Sequence, residues 1–109
     1  MKLFSILIAA GGLMAASLAH AAVDADAAQA VLKKSDCLKC HAIDKKKDGP
    51  PFKETAKKYK GKADGEDKVT KHLTTKPMIE IDGKKEEHKA LKTTDKAEIS
   101  NVVQWILSL

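Results

Sequence analysis

The sequence predicts an all-α domain built from about four short helices. Four stretches carry apolar residues at helical spacing or residues typical of helix ends, namely residues 22–34, 52–60, 64–74 and 95–109. Only one short segment, residues 78–81, alternates like a strand, so no sheet is expected to dominate the fold.

The first and last helices have the clearest signals. The first begins near Asp24 and Asp26, whose negative charges favour a helix start, and it ends near Lys33 and Lys34. The last helix follows the capping residue Asp95. Its apolar stripe is formed by Ile99, Val102, Val103 and Ile106. Each of these helices therefore has one apolar side to bury.

The middle of the chain is expected to hold two shorter helices. Phe52, Ala56 and Tyr59 fall on one helical face, and Gly61 can end that helix. The helix over residues 64–74 is only weakly apolar.

After the third helix, residues 78–81 predict a short extended segment. The pair Asp82-Gly83 that follows is a turn signal. Residues 84–91, which include His88, are then expected to form a loop.

The N-terminus has the pattern of a secretory signal peptide. A basic start is followed by an almost unbroken apolar run from Leu3 to Leu18, and Ala19-His20-Ala21 fits the small-x-small cleavage rule. The alternative is an uncleaved anchor, although the run is short for a membrane span. We therefore predict a cleaved signal peptide over residues 1–21, export to the periplasm, and one mature domain over residues 22–109 with no membrane span.

The spacing Cys37-x-x-Cys40-His41 is the attachment signature of c-type haem. Two cysteines three residues apart can bond one side of a haem, and the histidine that follows can offer an imidazole nitrogen to the iron. A disulfide would give His41 no role, and a thioredoxin-like pair would require a βαβ context. A zinc site would need further ligands that the chain, with two cysteines, does not supply in a familiar set.

Composition agrees with a domain that is completed by a cofactor. Only 4% of the residues are aromatic and 32% are charged, so the protein core is thin. Small domains usually need a staple such as a metal or a covalent link. A covalently attached haem would both cross-link the chain and fill the apolar core.

The charge of the chain indicates which kinds of molecule it can bind. The chain has a net charge of +5 and contains no arginine, so its basic side chains are all lysines. Arginine usually provides bidentate phosphate and base recognition, so a nucleic-acid partner is not expected. Lysines suit salt-sensitive encounters with acidic surfaces, although they also simply provide solubility. We expect redox partner proteins with acidic docking surfaces.

The chain resembles a small bacterial monohaem class I c-type cytochrome. The resemblance rests on three features: Cys37 to Asp44, Gly49-Pro50, and Trp105 to Leu109 in the helix that Asp95 opens. It covers essentially all of the mature chain. It implies the small class I cytochrome c fold, in which a few helices wrap one covalently attached haem c and the first and last helices cross. It also implies that Cys37 and Cys40 form the haem thioethers, that His41 is the proximal iron ligand, and that the carbonyl of Pro50 accepts a hydrogen bond from it.

The second iron ligand departs from the family pattern. That family usually has a methionine about seven residues before the acidic residue that opens the last helix, and here this position is His88. Met78, the only methionine of the mature chain, lies seventeen residues before Asp95. His88 is the preferred distal ligand and Met78 is the alternative; His72, a lysine or an open site remain further possibilities.

These features predict a periplasmic single-electron carrier and not an enzyme. Two imidazole ligands would give it a comparatively low potential, because a thioether ligand raises the potential. The alternative function is a haem-based gas-binding or sensor protein with a displaceable sixth ligand. A peroxidase-like enzyme would need placed acid–base groups that the sequence does not offer.

Overall fold

The structure, a computed structural model, describes residues 22–109. It contains four α-helices and one two-stranded hairpin: α1 Ala25–Lys34, α2 Phe52–Tyr59, α3 Gly65–Thr74, β1 Met78–Ile81, β2 Lys84–Glu87 and α4 Lys96–Leu107. The prediction of a mostly helical domain with four short helices is confirmed. The predicted signal peptide lies outside the described residues. Within the described part of the chain, no helix is long and apolar enough to cross a bilayer.

Helices α1 and α4 begin at side-chain caps. The Asp24 carboxylate accepts a hydrogen bond from the Ala27 N–H, 3.0 Å away. The Asp95 carboxylate accepts from the N–H groups of Ala97 and Glu98. Such caps satisfy backbone donors that the first turn of a helix leaves unpaired.

Helix α4 is the central element of the core. It packs against α1, α2 and α3. The middle of α4 is tied to the start of α1, because Asn101 exchanges two hydrogen bonds of 2.9 Å with the backbone of Asp24. Trp105 of α4 meets Phe52 edge to face, with ring centroids 5.9 Å apart. The fully buried Leu32 of α1 and Ile106 of α4 belong to the same apolar cluster.

The hairpin corrects the prediction of a loop over residues 84–91. Strand β2 pairs antiparallel with β1, and Ile79 lies opposite Glu86. Asp82 and Gly83 link the strands with φ values of 51° and 78°, as a two-residue hairpin turn requires. The turn was predicted and the second strand was missed, because its sequence, Lys-Lys-Glu-Glu, is entirely exposed and carries no apolar alternation.

Candidate functional site

The two cysteines lie on a short turn directly after α1. Residues Cys37–Lys39 form one turn of 3-10 helix, entered through Asp36 in the left-handed region at φ 62°. Both thiols are free; Cys37 is buried and Cys40 is partly exposed. Burial, reinforced by the negative charge of Asp36, raises the pKa of the Cys37 thiol. The turn also places His41, whose N–H donates to the carbonyl of Cys37 at 3.0 Å.

The His41 ring is fixed by three neighbours. Its Nδ1 donates a hydrogen bond to the carbonyl oxygen of Pro50 at 2.7 Å, which leaves Nε2 available as a metal ligand. Phe52 stacks on the ring with a centroid distance of 5.2 Å and an interplanar angle of 18°. A Cβ atom at Gly49 would overlap the ring, so only glycine fits there.

His88 lies across from His41, after strand β2. The two ring centroids are 6.1 Å apart and the rings are tilted by 60°. The backbone N–H of His88 donates to the carbonyl of Pro77 at 2.8 Å. Its ring atom Nδ1 is buried and has no hydrogen-bond partner among residues 22–109. A buried imidazole nitrogen without a partner is unusual, because buried polar atoms are normally satisfied.

The separation of the two rings fits a metal ion between them. An imidazole nitrogen binds a metal such as zinc at about 2.0–2.1 Å, so the ring centroids of two imidazoles that bind one ion can lie up to roughly 6 Å apart. The ring centroids of His41 and His88 are 6.1 Å apart, which agrees with that value. The donor chemistry and the spacing of these residues therefore fit a bis-imidazole iron site.

The other two candidate ligands are placed differently. His72 lies on α3 with its ring centroid 4.3 Å from that of His88, so these two rings touch each other. Met78 opens β1, where its side chain is 62% exposed. Met78 does not line the cavity described below, whereas His72 and His88 both do. The structure thus brings together His41, His72 and His88 and leaves Met78 apart.

The local environment favours neutral imidazoles. Burial lowers the pKa of His88, and the nearby His72 and His41 rings lower it further. Burial likewise lowers the pKa of His72, followed by the influence of His41 and Lys58. Neutral imidazole is the form that ligates metals.

A cavity of about 490 Å³ adjoins these side chains. Both motif cysteines line it, together with His41, His72 and His88. Much of the remaining wall is apolar and includes Leu32, Val69, Leu73, Ile79, Ile81 and Ile106. The volume lies in the range of cofactor pockets, and the apolar wall suits a large flat cofactor.

Sequence reasoning missed several contributors to this site. Gly49 is part of the Gly49-Pro50 pair on which the family resemblance rests, but the sequence does not predict its close approach to the His41 ring. Phe52 was assigned to a helix face, and its contact with the His41 ring has no local sequence signal. Ile79 and Ile81 line the cavity from β1, and the sequence does not single out these two side chains as contributors to the site.

Comparisons with known proteins agree on one family. The protein-family model for cytochrome c matches residues 25–109. Among solved structures, the chain is similar to the class 1 cytochrome MtoD from Sideroxydans lithotrophicus ES-1, with 46% sequence identity and a TM-score of 0.76. The similarity covers 80% of this chain and 97% of that one. No curated protein sequence matches the chain significantly.

Proposed function

Since this chain belongs to the cytochrome c family, as a small class I c-type cytochrome with covalently bound haem c, we propose that it is a periplasmic single-electron carrier with bis-histidine ligation. Class I cytochromes are electron carriers and not enzymes. The observation that carries the proposal is the pair of imidazoles of His41 and His88, whose ring centroids lie 6.1 Å apart and which both line the cavity.

In this proposal, residues 37–50 hold the proximal side of the haem. Cys37 and Cys40 form the thioethers, and His41 binds the iron through Nε2. The Pro50 carbonyl accepts the Nδ1 proton of His41, which fixes the tautomer and makes the ring a stronger donor. Gly49 leaves room for that ring.

On the distal side, we assign the iron ligand to His88. Its partial burial, its lowered pKa and its buried Nδ1 atom without a hydrogen-bond partner support a role as ligand. The exposed side chain of Met78 argues against the methionine alternative. His72 packs on the His88 ring and supports it from the side.

The assignment determines the expected electrochemistry. Haem iron supplies a one-electron cycle between two oxidation states, and the protein holds its ligands and limits access of water. Two imidazoles lack the thioether that raises the potential, so a comparatively low potential is expected.

The partner surface is assigned to the edge of the attachment turn. Leu38 is 38% exposed there, the adjacent Lys39 is also exposed, and so are Lys45 and Lys46 in the loop that follows the motif. Lys47 reaches the same edge, because its Nζ donates to the Leu38 carbonyl at 2.7 Å. An exposed leucine flanked by lysines suits an acidic redox partner.

The distal ligand is tested by His88→Ala, with His72→Ala and Met78→Leu as matched controls. We expect the oxidised H88A protein to lose the low-spin six-coordinate spectrum, because His72 packs against His88 and does not replace it. Both controls should keep that spectrum. An unchanged spectrum of H88A would contradict the assignment of His88 as the distal ligand. Loss of the low-spin spectrum in M78L alone would instead identify Met78 as that ligand.

The same proteins address the gas-binding alternative. The backbone hydrogen bond to Pro77 and the contact with His72 hold His88 in place, which favours a carrier. Carbon monoxide should therefore bind slowly to the reduced wild-type protein and rapidly to H88A. Rapid binding to the wild type would favour the ligand-binding function.

A further inference from the structure

Ser35 has an unusual position for a polar residue. It is fully buried, and it is the one buried polar side chain within residues 22–109. It lies between the end of α1 and Cys37, and its own carbonyl lies 3.9 Å from the Cys37 sulfur. Its hydroxyl oxygen accepts a hydrogen bond from the backbone N–H of Lys92 at 2.8 Å. This bond joins the attachment turn to the segment that carries His88.

Asp36, the residue after Ser35, also contacts the segment that carries His88. The Asp36 carboxylate lies 3.3 Å from the Nζ atoms of Lys39 and Lys92, and 4.0 Å from the Nζ atom of Lys89. Lys89 directly follows His88. These ion pairs are largely exposed, so each contributes little alone. The buried Ser35 hydroxyl is the stronger candidate for holding the segment.

The segment of residues 88–92 has two other backbone anchors. The N–H of His88 donates to Pro77, and the N–H of Leu91 donates to Leu73 at 2.9 Å. Both anchors lie on the distal side, next to the hairpin and α3. Ser35 differs because it connects the segment to the turn that positions His41.

We propose that Ser35 is a positioning residue for the distal ligand. Its hydroxyl fixes the segment of residues 88–92 against the attachment turn and so sets the distance between His88 and His41. This inference rests on the proposed ligation by His88. Without the hydroxyl, the Lys92 N–H loses its partner, and an unpaired part-buried donor favours movement of the segment away from the turn.

The test is the rate at which carbon monoxide binds to the reduced holoprotein, because binding requires His88 to leave the iron. We expect Ser35→Ala to raise this rate roughly fivefold to a hundredfold, the range that an unsatisfied buried donor implies. The oxidised variant should keep its low-spin spectrum, since His88 is loosened and not removed.

Two control variants separate positioning from general destabilisation. Asn101→Ala removes the two hydrogen bonds between α1 and α4 without touching the segment, and Lys92→Ala keeps the backbone N–H while removing the ion pair. Both should change the rate by about twofold at most. If S35A fails to yield holoprotein, Lys92→Pro removes the donor instead, and the same acceleration is expected.

The outcomes separate this inference from the proposed function. A rate for S35A no higher than that of N101A would overturn the role of Ser35, provided that H88A has lost the low-spin spectrum. If H88A keeps that spectrum, the ligand assignment itself fails, and the role of Ser35 fails with it.

Discussion

At the scale of single residues, the His41 ring is the most tightly constrained group in the site. Pro50 accepts its Nδ1 hydrogen bond, Phe52 covers one face, and Gly49 leaves space for it. The spacing of the C-x-x-C-H motif predicted that His41 would lie beside both cysteines. It did not predict the packing around the ring, because contacts between loop and helix depend on tertiary structure.

Gly49→Ala tests this close approach. The added Cβ atom would overlap the His41 ring, and because the Pro50 bond holds the ring, we expect weakened proximal ligation and an altered visible spectrum. Gly61→Ala is the matched control, since Gly61 has a positive φ of 75° and no neighbour near the added atom. It should cost roughly 1–2 kcal/mol of unfolding free energy in denaturant titration, because an L-residue is strained in the left-handed region, and it should leave the spectrum unchanged. Equal effects of the two variants would contradict the proposed fit.

At the scale of elements, the helices were predictable and the hairpin was only half predictable. Helix α4 has a capping aspartate and a long apolar stripe, so its local signals agree with its burial. Strand β2 has four exposed charged residues and exists because the Asp82-Gly83 turn returns the chain along β1. Such pairing cannot be read from the apolar pattern of either strand alone.

The hairpin also forms part of the cavity wall. Ile79 and Ile81 are half-buried and line the cavity, whereas Met78 is exposed. We expect the double variant Ile79→Ala, Ile81→Ala to admit water to the haem and lower the reduction potential, because water stabilises the more highly charged oxidised iron. Met78→Ala is the control and should leave the potential unchanged. Spectroelectrochemical titration measures both, and an unchanged or higher potential in the double variant would contradict this role of the hairpin.

At the scale of the whole molecule, the protein provides a thin core around a large cavity. The apolar cluster draws on α1 to α4, but within residues 22–109 its only buried aromatic side chains are Phe52 and Trp105. The low aromatic content of the sequence predicts such a thin core. The sequence could not predict which side chains reach the distal face, because the three candidate ligands lie on α3, on β1 and after β2.

Net charge is also a property of the whole molecule. Residues 22–109 carry a charge of +4, which is the +5 of the full chain less Lys2. The association rate with an acidic redox partner should therefore fall steeply with added salt. Lys45→Glu with Lys46→Glu should slow association more than the control pair Lys71→Glu with Lys96→Glu, whose residues belong to α3 and to the start of α4. Stopped-flow electron transfer measures these rates, and a flat salt response or equal effects would refute the proposed docking edge.

The central claim is that His41 and His88 ligate one iron. The near-infrared spectrum of the oxidised wild-type protein tests it most directly, because methionine–iron ligation gives a characteristic charge-transfer band. We predict a low-spin spectrum in which that band is absent. A low-spin spectrum that contains the methionine band would contradict the claim and assign the distal position to Met78.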